Sequence, residues 1–424
     1  MNVTTNSDGA TKEHQILATP DEIVTPESPG HAEDGPQLEA LARAVGAVTI
    51  YLDMLDLIDY VQVNISLSGI QRVVSNLVAG SINYAKSHPN YKIVPVFLNR
   101  KTNEILSVET PLVIDMLREL EGAKLDRTGL DTAIRTLYET GKTFEPKSGD
   151  YFAIPGAFWI YPNFDQIRPM QERGVKFIVY VHDLIPITNP EFVDDAATRA
   201  FRLALVDGLM LADGALTNSE FVADQVREFM RQRTTFELPV MAVPLATELR
   251  PISGDKKSLG AKVREIVSED FVLAVSTIEN RKNYVYLVRI WETLLRNHVP
   301  NVPHLVFVGK LGWDIRPFID QLNATDYLGG RLHLLHEVSD YELSELYKHA
   351  MFTMYPSFAE GFGLPVGESL GYGKPCLSSN RASMPEVGGK FARYFDPDDV
   401  NEGYAEVLRL LSNPQELERW ADQI

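Results

Sequence analysis

The sequence predicts an α/β protein made of two Rossmann-like, doubly wound parallel-sheet domains, and three observations carry that prediction. Short apolar runs rich in Val, Leu and Phe alternate with stretches of helical periodicity, as in sheets buried on both faces and joined by crossover helices. The alternation stops at a polar segment, residues 250–257 with Pro251 and Gly254, and then restarts. At 424 residues the chain is long for a single core, so two domains are expected.

Residues 1–46 carry few large apolar side chains and are rich in Asp, Glu, Pro, Ser and Thr, which predicts a disordered acidic arm. The first domain, residues 47–250, opens with a β-branched strand at 47–52. A polar loop leads to a helix in which Val73, Val74, Leu77 and Val78 recur at helical spacing. Further strands are expected at 93–98, 151–155, 176–181, 214–217 and 240–244, with helices at 194–211 and 219–231. The second domain, residues 251–424, reads strand 271–276, helix 284–296, strand 304–308, helix 315–323, strand 331–335, helix 341–349, strand 351–355, helix 365–371 and strand 375–378.

Bulk chemistry narrows the function. With 40 basic and 58 acidic residues the net charge is −18, which argues against nucleic-acid binding through phosphate contacts and gives no support to broad attachment to anionic lipid. The single Cys376 excludes an internal disulfide framework and is expected to be a buried structural thiol. The first 45 residues lack the apolar stretch of a signal peptide, and no apolar run nears the ~20 residues that span a bilayer. A cytoplasmic protein is expected, with at most peripheral contact at the inner face of the membrane.

Candidate ligand residues gather where strands end, the edge at which doubly wound sheets bind ligands. Residues 357–375, SFAEGFGLPVGESLGYGKP, set Glu360 and Glu368 around a glycine-rich turn. Pro365 suits the first turn of a helix, so backbone N–H groups near Gly361, Phe362, Gly363 and Leu364 are placed to meet an anion or sugar hydroxyls. Carboxylates suit the vicinal hydroxyls of a sugar; the bland alternative is a loop acid and a solvated helix residue. Arg281 and Lys282 follow another strand and suit a pyrophosphate, although such pairs are common on surfaces. Gly309 ends a strand and lets backbone approach a ligand. His182 and Asp183 end a strand of the first domain, where they suit substrate contact or acid–base work; a satisfied structural histidine fits equally. Residues 66–69, with Gly69, form a weak phosphate-loop candidate. His333, His336 and Glu337 lie on a predicted strand, where positions three apart face opposite ways, and the acids at 396–402 lack calcium-loop spacing. No metal site is expected.

Together, segments 276–283, 308–310, 357–375 and 383–389 resemble the donor-binding half of retaining GT-B glycosyltransferases of family 4, the glycosyl transferases group 1 type. In the first domain, Ser68-Gly69-Ile70-Gln71-Arg72-Val73, His182-Asp183-Leu184-Ile185-Pro186 and Thr217-Asn218-Ser219 resemble the family's glycine loop, HD segment and cleft serine segment. The resemblance implies two domains facing a cleft and a nucleotide-diphosphate sugar (GDP-, UDP- or dTDP-linked) as donor substrate, with no other cofactor. It implies that Arg281 and Lys282 bind the pyrophosphate, and that Glu360 with the amides of Gly361, Phe362, Gly363 and Leu364 holds the sugar and diphosphate. Glu368 would take the ribose hydroxyls, Gly69 would admit the β-phosphate, and His182 would meet the sugar across the cleft. The base would lie near Gly309 and residues 336–338. The implied reaction moves a hexose or deoxyhexose, such as mannose, glucose or rhamnose, to a glycan or lipid-linked acceptor with retention, as in bacterial surface polysaccharide assembly. Asp183 as general base would imply inversion instead. Two other readings are a GT-B-like nucleotide-sugar epimerase and a non-catalytic nucleotide-sugar-binding module. Glu279-Asn280 departs from the small or proline residues usual before the Arg-Lys pair, and the family's helix returning to the first domain is expected either to lie beyond Ile424 in a longer polypeptide or to be absent.

Overall fold

Alternating runs of buried β-branched and aromatic residues fold into two sheets in the computed structural model, which describes residues 47–64, 67, 69–120, 127–161, 164–247, 259–312, 315–336 and 338–424. The expected arm at 1–46, the linker at 250–257 and two serines of the 66–69 loop lie outside the described residues. The first sheet holds β1 (Val48–Asp53), β2 (Tyr91–Asn99), β3 (Glu104–Ser107), β4 (Tyr151–Ile154), β5 (Lys176–Val181), β6 (Gly214–Thr217) and β7 (Val240–Ala242) in the order β3-β2-β1-β4-β5-β6-β7. Among the described strand pairs of this sheet, only β2–β3, from Val96 opposite Ser107 to Asn99 opposite Glu104, is antiparallel. The second sheet is parallel throughout and holds β8 (Phe271–Val275), β9 (His304–Val308), β10 (Leu332–Leu335), β11 (Thr353–Tyr355), β12 (Cys376–Ser379) and β13 (Arg393–Phe395), ordered β10-β9-β8-β11-β12-β13.

In each sheet the order reverses beside the first strand, between β1 and β4 and between β8 and β11. Consecutive crossovers leave on opposite faces there, which opens a crevice at the carboxyl ends. β8 and β11 share a single register pair, Leu273 opposite Thr353, so the two chains diverge early above it.

The predicted strands and helices are present with ends shifted by one or two residues. The stretch between β2 and β4 was not resolved from the sequence; it holds β3 and two helices, Thr110–Leu120 and Arg127–Thr140. Their buried residues, Val113, Met116 and Leu117 on one and Leu130, Ile134 and Leu137 on the other, pack into one apolar cluster. β13, the short helix Met384–Gly388 and the helices Val400–Ser412 and Pro414–Ala421 complete the second lobe. Its core centres on Trp291, fully buried with Nε1 donating to Pro303 O at 2.8 Å, and on Tyr286 stacked on Phe395. Cys376 is buried at the start of β12, where loss of solvation pushes its thiol up to about 12.

Candidate functional site

The crevice between β8 and β11 brings together the two best sequence candidates. β8 leads to a 3-10 turn, Asn280–Lys282, and β11 to the loop that ends at Gly363. The Arg281 carbonyl clamps these loops by accepting from Phe358 N at 2.9 Å, with Ser357 Oγ 3.2 Å away. Glu360 therefore lies beside both cations: Oε2 is 2.9 Å from Arg281 Nη1, and Oε1 is 2.5 Å from Lys282 Nζ. Tyr355 OH and Ser357 Oγ also donate to Oε1, at 2.7 and 2.6 Å. Arg281 continues through Nε to Glu279 at 2.8 Å and donates through Nη1 to Ala359 O at 2.8 Å.

This cluster is nearly dry, with Glu360 8% and Lys282 7% exposed. Burial alone would push the Glu360 carboxyl up, but Arg281 and Lys282 outweigh it and hold the group at about 2. Burial and the neighbouring Arg281 lower Lys282, while Glu360 and Glu279 more than offset burial and raise Arg281. The arrangement is a set of oriented cations, with an ionised carboxylate fixing their direction. Such a set can receive a diphosphate without reorganising.

The glycine turn is shaped by two close approaches. A Cβ on Gly361 would lie 1.9 Å from the His182 carbonyl oxygen, so only glycine lets the first lobe come this near. Gly363, at φ 100°, turns the chain into the helix Leu364–Gly371, whose leading N–H groups lack partners within the helix. Phe362 is buried, and its carbonyl accepts from Ser383 Oγ at 2.8 Å. Gly309 is also forced by backbone: a Cβ there would lie 1.8 Å from Ser276 O, a packing demand that exists before any ligand arrives. His336 Nδ1 lies 3.0 Å from Gly309 O, which joins the two segments expected near the base.

Glu368 lies one helical turn beyond the glycine loop. Its Oε2 accepts from Tyr347 OH at 2.8 Å, and its Oε1 is 3.6 Å from Arg72 Nη1 of the first lobe. Gly69 begins the helix Gly69–Ser87, and a Cβ there would meet no atom within 4 Å. His182 is buried, with Nε2 bonded to Pro155 O at 2.8 Å; that nitrogen carries the hydrogen, because a carbonyl only accepts. Burial lowers its pKa to about 4, so the ring is neutral near pH 7. Asp183 accepts from Ile185 N at 3.0 Å, and burial raises its pKa despite the nearby Arg281. The structure thus joins Glu360, Arg281 and Lys282 directly, while Glu368 lies on the Arg72 side of the crevice. Sequence reasoning missed Tyr355 and Ser357 as partners of Glu360; their places at the end of β11 were the available signal.

Residues 255–424 match the model of the family described as glycosyl transferases group 1. That match spans the second lobe. The chain is 27% identical to O-antigen chain mannosyltransferase B of Escherichia coli, over 59% of this chain and 64% of that protein. It is 27% identical to the serotype-specific mannosyltransferase WbdA of Escherichia coli over 58% of this chain and 31% of that relative. It is 28% identical to the MMP alpha-(1->4)-mannosyltransferase of Mycolicibacterium hassiacum over 59% of this chain and 60% of that relative. Each match thus spans less than two thirds of the relative's length. Among solved structures, sucrose-phosphate synthase from Thermosynechococcus elongatus is similar at a TM-score of 0.57 and 15% identity, over 88% of this chain and 91% of that one. Anabaena HepE in complex with UDP-glucose is similar at a TM-score of 0.54 and 14% identity, over 88% and 92% of the two chains. These likenesses show the fold, the GT-B arrangement of two Rossmann-like domains, and the residues matched by the family model form its carboxyl-terminal half.

Proposed function

We propose that this chain is a retaining, metal-independent hexosyltransferase that takes a sugar from a nucleotide-diphosphate donor and gives it to a glycan or lipid-linked acceptor. The observation carrying this reading is the buried Glu360–Arg281–Lys282 cluster at the crevice of the second sheet. Mannose is the first sugar to test, because the relatives above are named mannosyltransferases. Arg281 and Lys282 offset the charge that develops on the departing diphosphate, the role otherwise filled by a metal. Glu360 keeps them aimed and accepts hydroxyls of the transferred sugar. The turn amides from Gly361 to Leu364 hold the sugar and diphosphate, Glu368 takes the ribose, and the segment near Gly309 takes the base.

A carboxyl held at about 2 is ionised and cannot donate a proton, and a histidine at about 4 is neutral and holds its hydrogen toward Pro155. With values this low, both are also weak bases for an acceptor hydroxyl. This favours front-face attack, with a donor phosphate oxygen taking the acceptor proton. Asp183 is the residue on which an inverting reaction would depend, since burial raises its pKa toward that of a base.

The test is nucleotide release from GDP-mannose, UDP-glucose and dTDP-rhamnose, with and without an oligosaccharide acceptor and with chelator present throughout. Turnover in chelator, abolished by Glu360→Ala, supports the assignment. Equal turnover by wild type and Glu360→Ala overturns it. Proton NMR of the product decides stereochemistry, and an inverted anomer moves the catalytic role to Asp183.

A further inference from the structure

Glu386 lies outside the donor cluster, on the short helix Met384–Gly388 of the second lobe, yet its carboxylate reaches the first lobe. Oε1 accepts from Glu220 N at 2.8 Å and Oε2 from Phe221 N at 3.1 Å, the two leading amides of the helix Glu220–Arg231. A carboxylate here meets both the open N–H groups and the positive end of the helix dipole. The like charge of Glu220 is drawn away by Arg227, 3.2 Å from it.

The same two elements also grip the glycine turn. Ser219, the residue that caps this helix, donates through Oγ to Gly361 O at 2.6 Å and accepts from Val222 N at 3.2 Å. Ser383, three residues before Glu386, donates through Oγ to Phe362 O at 2.8 Å, with Glu360 O 3.2 Å from the same oxygen. The hydrogen bonds therefore close a ring: first-lobe helix, glycine turn, Ser383, Glu386 and back to the helix. A stack of Phe192 on Phe358, at 5.9 Å between ring centres, lies beside it and also crosses the lobes.

We propose that Glu386 is a positioning residue that couples closure of the two lobes to the donor-binding shape of the glycine turn. The coupling follows from geometry: the turn cannot shift at Gly361 or Phe362 without straining bonds to Ser219 and Ser383. Those two residues are held at a fixed separation by Glu386. The inference rests on the glycosyltransferase reading for its kinetic consequence but not for its structural one. Donor contacts in that reading come mostly from the second lobe, whereas reaction needs both. Loss of Glu386 should therefore act on kcat rather than on donor affinity.

Two measurements test it. Spin labels at Glu139→Cys and Asp422→Cys, exposed positions one on each lobe, report the interlobe distance in the nucleotide-free protein. Glu386→Ala should lengthen and broaden that distance, with Glu386→Gln intermediate because one acceptor oxygen remains. In steady-state assays with the donor found above, Glu386→Ala should lower kcat about tenfold, the effect of losing about one charge-assisted bond, with donor Kd within about twofold of wild type. An unchanged distance distribution overturns the proposal even if no donor is turned over, and so does a loss that appears wholly in Kd. A wild type inert on every donor sinks the functional reading alone. Should Glu386→Ala prove misfolded by circular dichroism, Glu386→Gln carries both comparisons.

Discussion

Glu360 accepts from four donors on three segments: the turn after β8, the end of β11 and its own loop. Removing its charge leaves Arg281 and Lys282 facing each other in a nearly dry site. Glu360→Gln is expected to destabilise the fold by about 3–5 kcal/mol, the usual cost of breaking a buried ion pair, and to lower turnover at least a hundredfold. Thermal melts and nucleotide-release assays on the same sample check both. Titration gives a second residue-scale prediction. Burial lowers His182 and His333 to about 4, so the folded protein resists the protons that both would bind once unfolded below their ordinary 6.5. Burial raises Asp53 to about 7, so that group holds a proton in the folded state that it would release on unfolding above 3.8. Between pH 5 and 6, protons gained by the histidines on unfolding are set against those lost by Asp53 and by Asp56 and Asp183, which burial also raises. Asp53→Asn removes one opposing proton, so the variant's stability should fall more steeply than wild type's as pH drops through this window, by about 1.4 kcal/mol per unit. Urea titrations of both proteins at pH 5.0, 5.5 and 6.0 measure it, and an equal or shallower slope in the variant would sink the argument.

At the scale of elements, the buried strands were the most legible part of the sequence. Runs such as Phe271–Val275 and His304–Val308 are short and apolar because helices cover both faces, and their bounds match within a residue. The helix Arg127–Thr140 was not legible for an opposite reason. Thr128, Thr132, Thr136 and Thr140 punctuate it, and three of these hydroxyls bond back to the carbonyl four residues earlier, at 2.7–2.9 Å. Threonine is a weak helix former, so only packing of Leu130, Ile134 and Leu137 holds this element in place. The motif residues stood out through their spacing, but the grip of Glu360 on Arg281 requires β8 and β11 to be neighbours. Non-consecutive strands carry no local signal of that pairing. The glycine turn yields an element-scale prediction: Gly361→Ala should force the His182 carbonyl away and abolish turnover, while the isolated second-lobe signature in near-UV circular dichroism persists.

Across the molecule, two sheets of related strand order meet along a line of hydrogen bonds rather than a continuous apolar core. The bonds from Ser219 to Gly361 and from Glu386 to the amides of Glu220 and Phe221 join residues more than 140 positions apart, which is why no spacing in the sequence announced them. The second lobe depends on its own core, and Trp291→Ala should cost about 3–5 kcal/mol. Two separate calorimetric transitions are expected in that variant, the lower one belonging to the second lobe. A single transition shifted as a whole would mean that the lobes unfold as one cooperative unit.

The buried thiol of Cys376 has a practical consequence of its own. With one cysteine in the chain, fully enclosed and pushed up to about 12, the native protein is already a silent background for thiol chemistry. Maleimide or nitroxide reagents near pH 7 will report only cysteines added at the surface, so lobe motion can be followed without first stripping the protein of its own sulfhydryl.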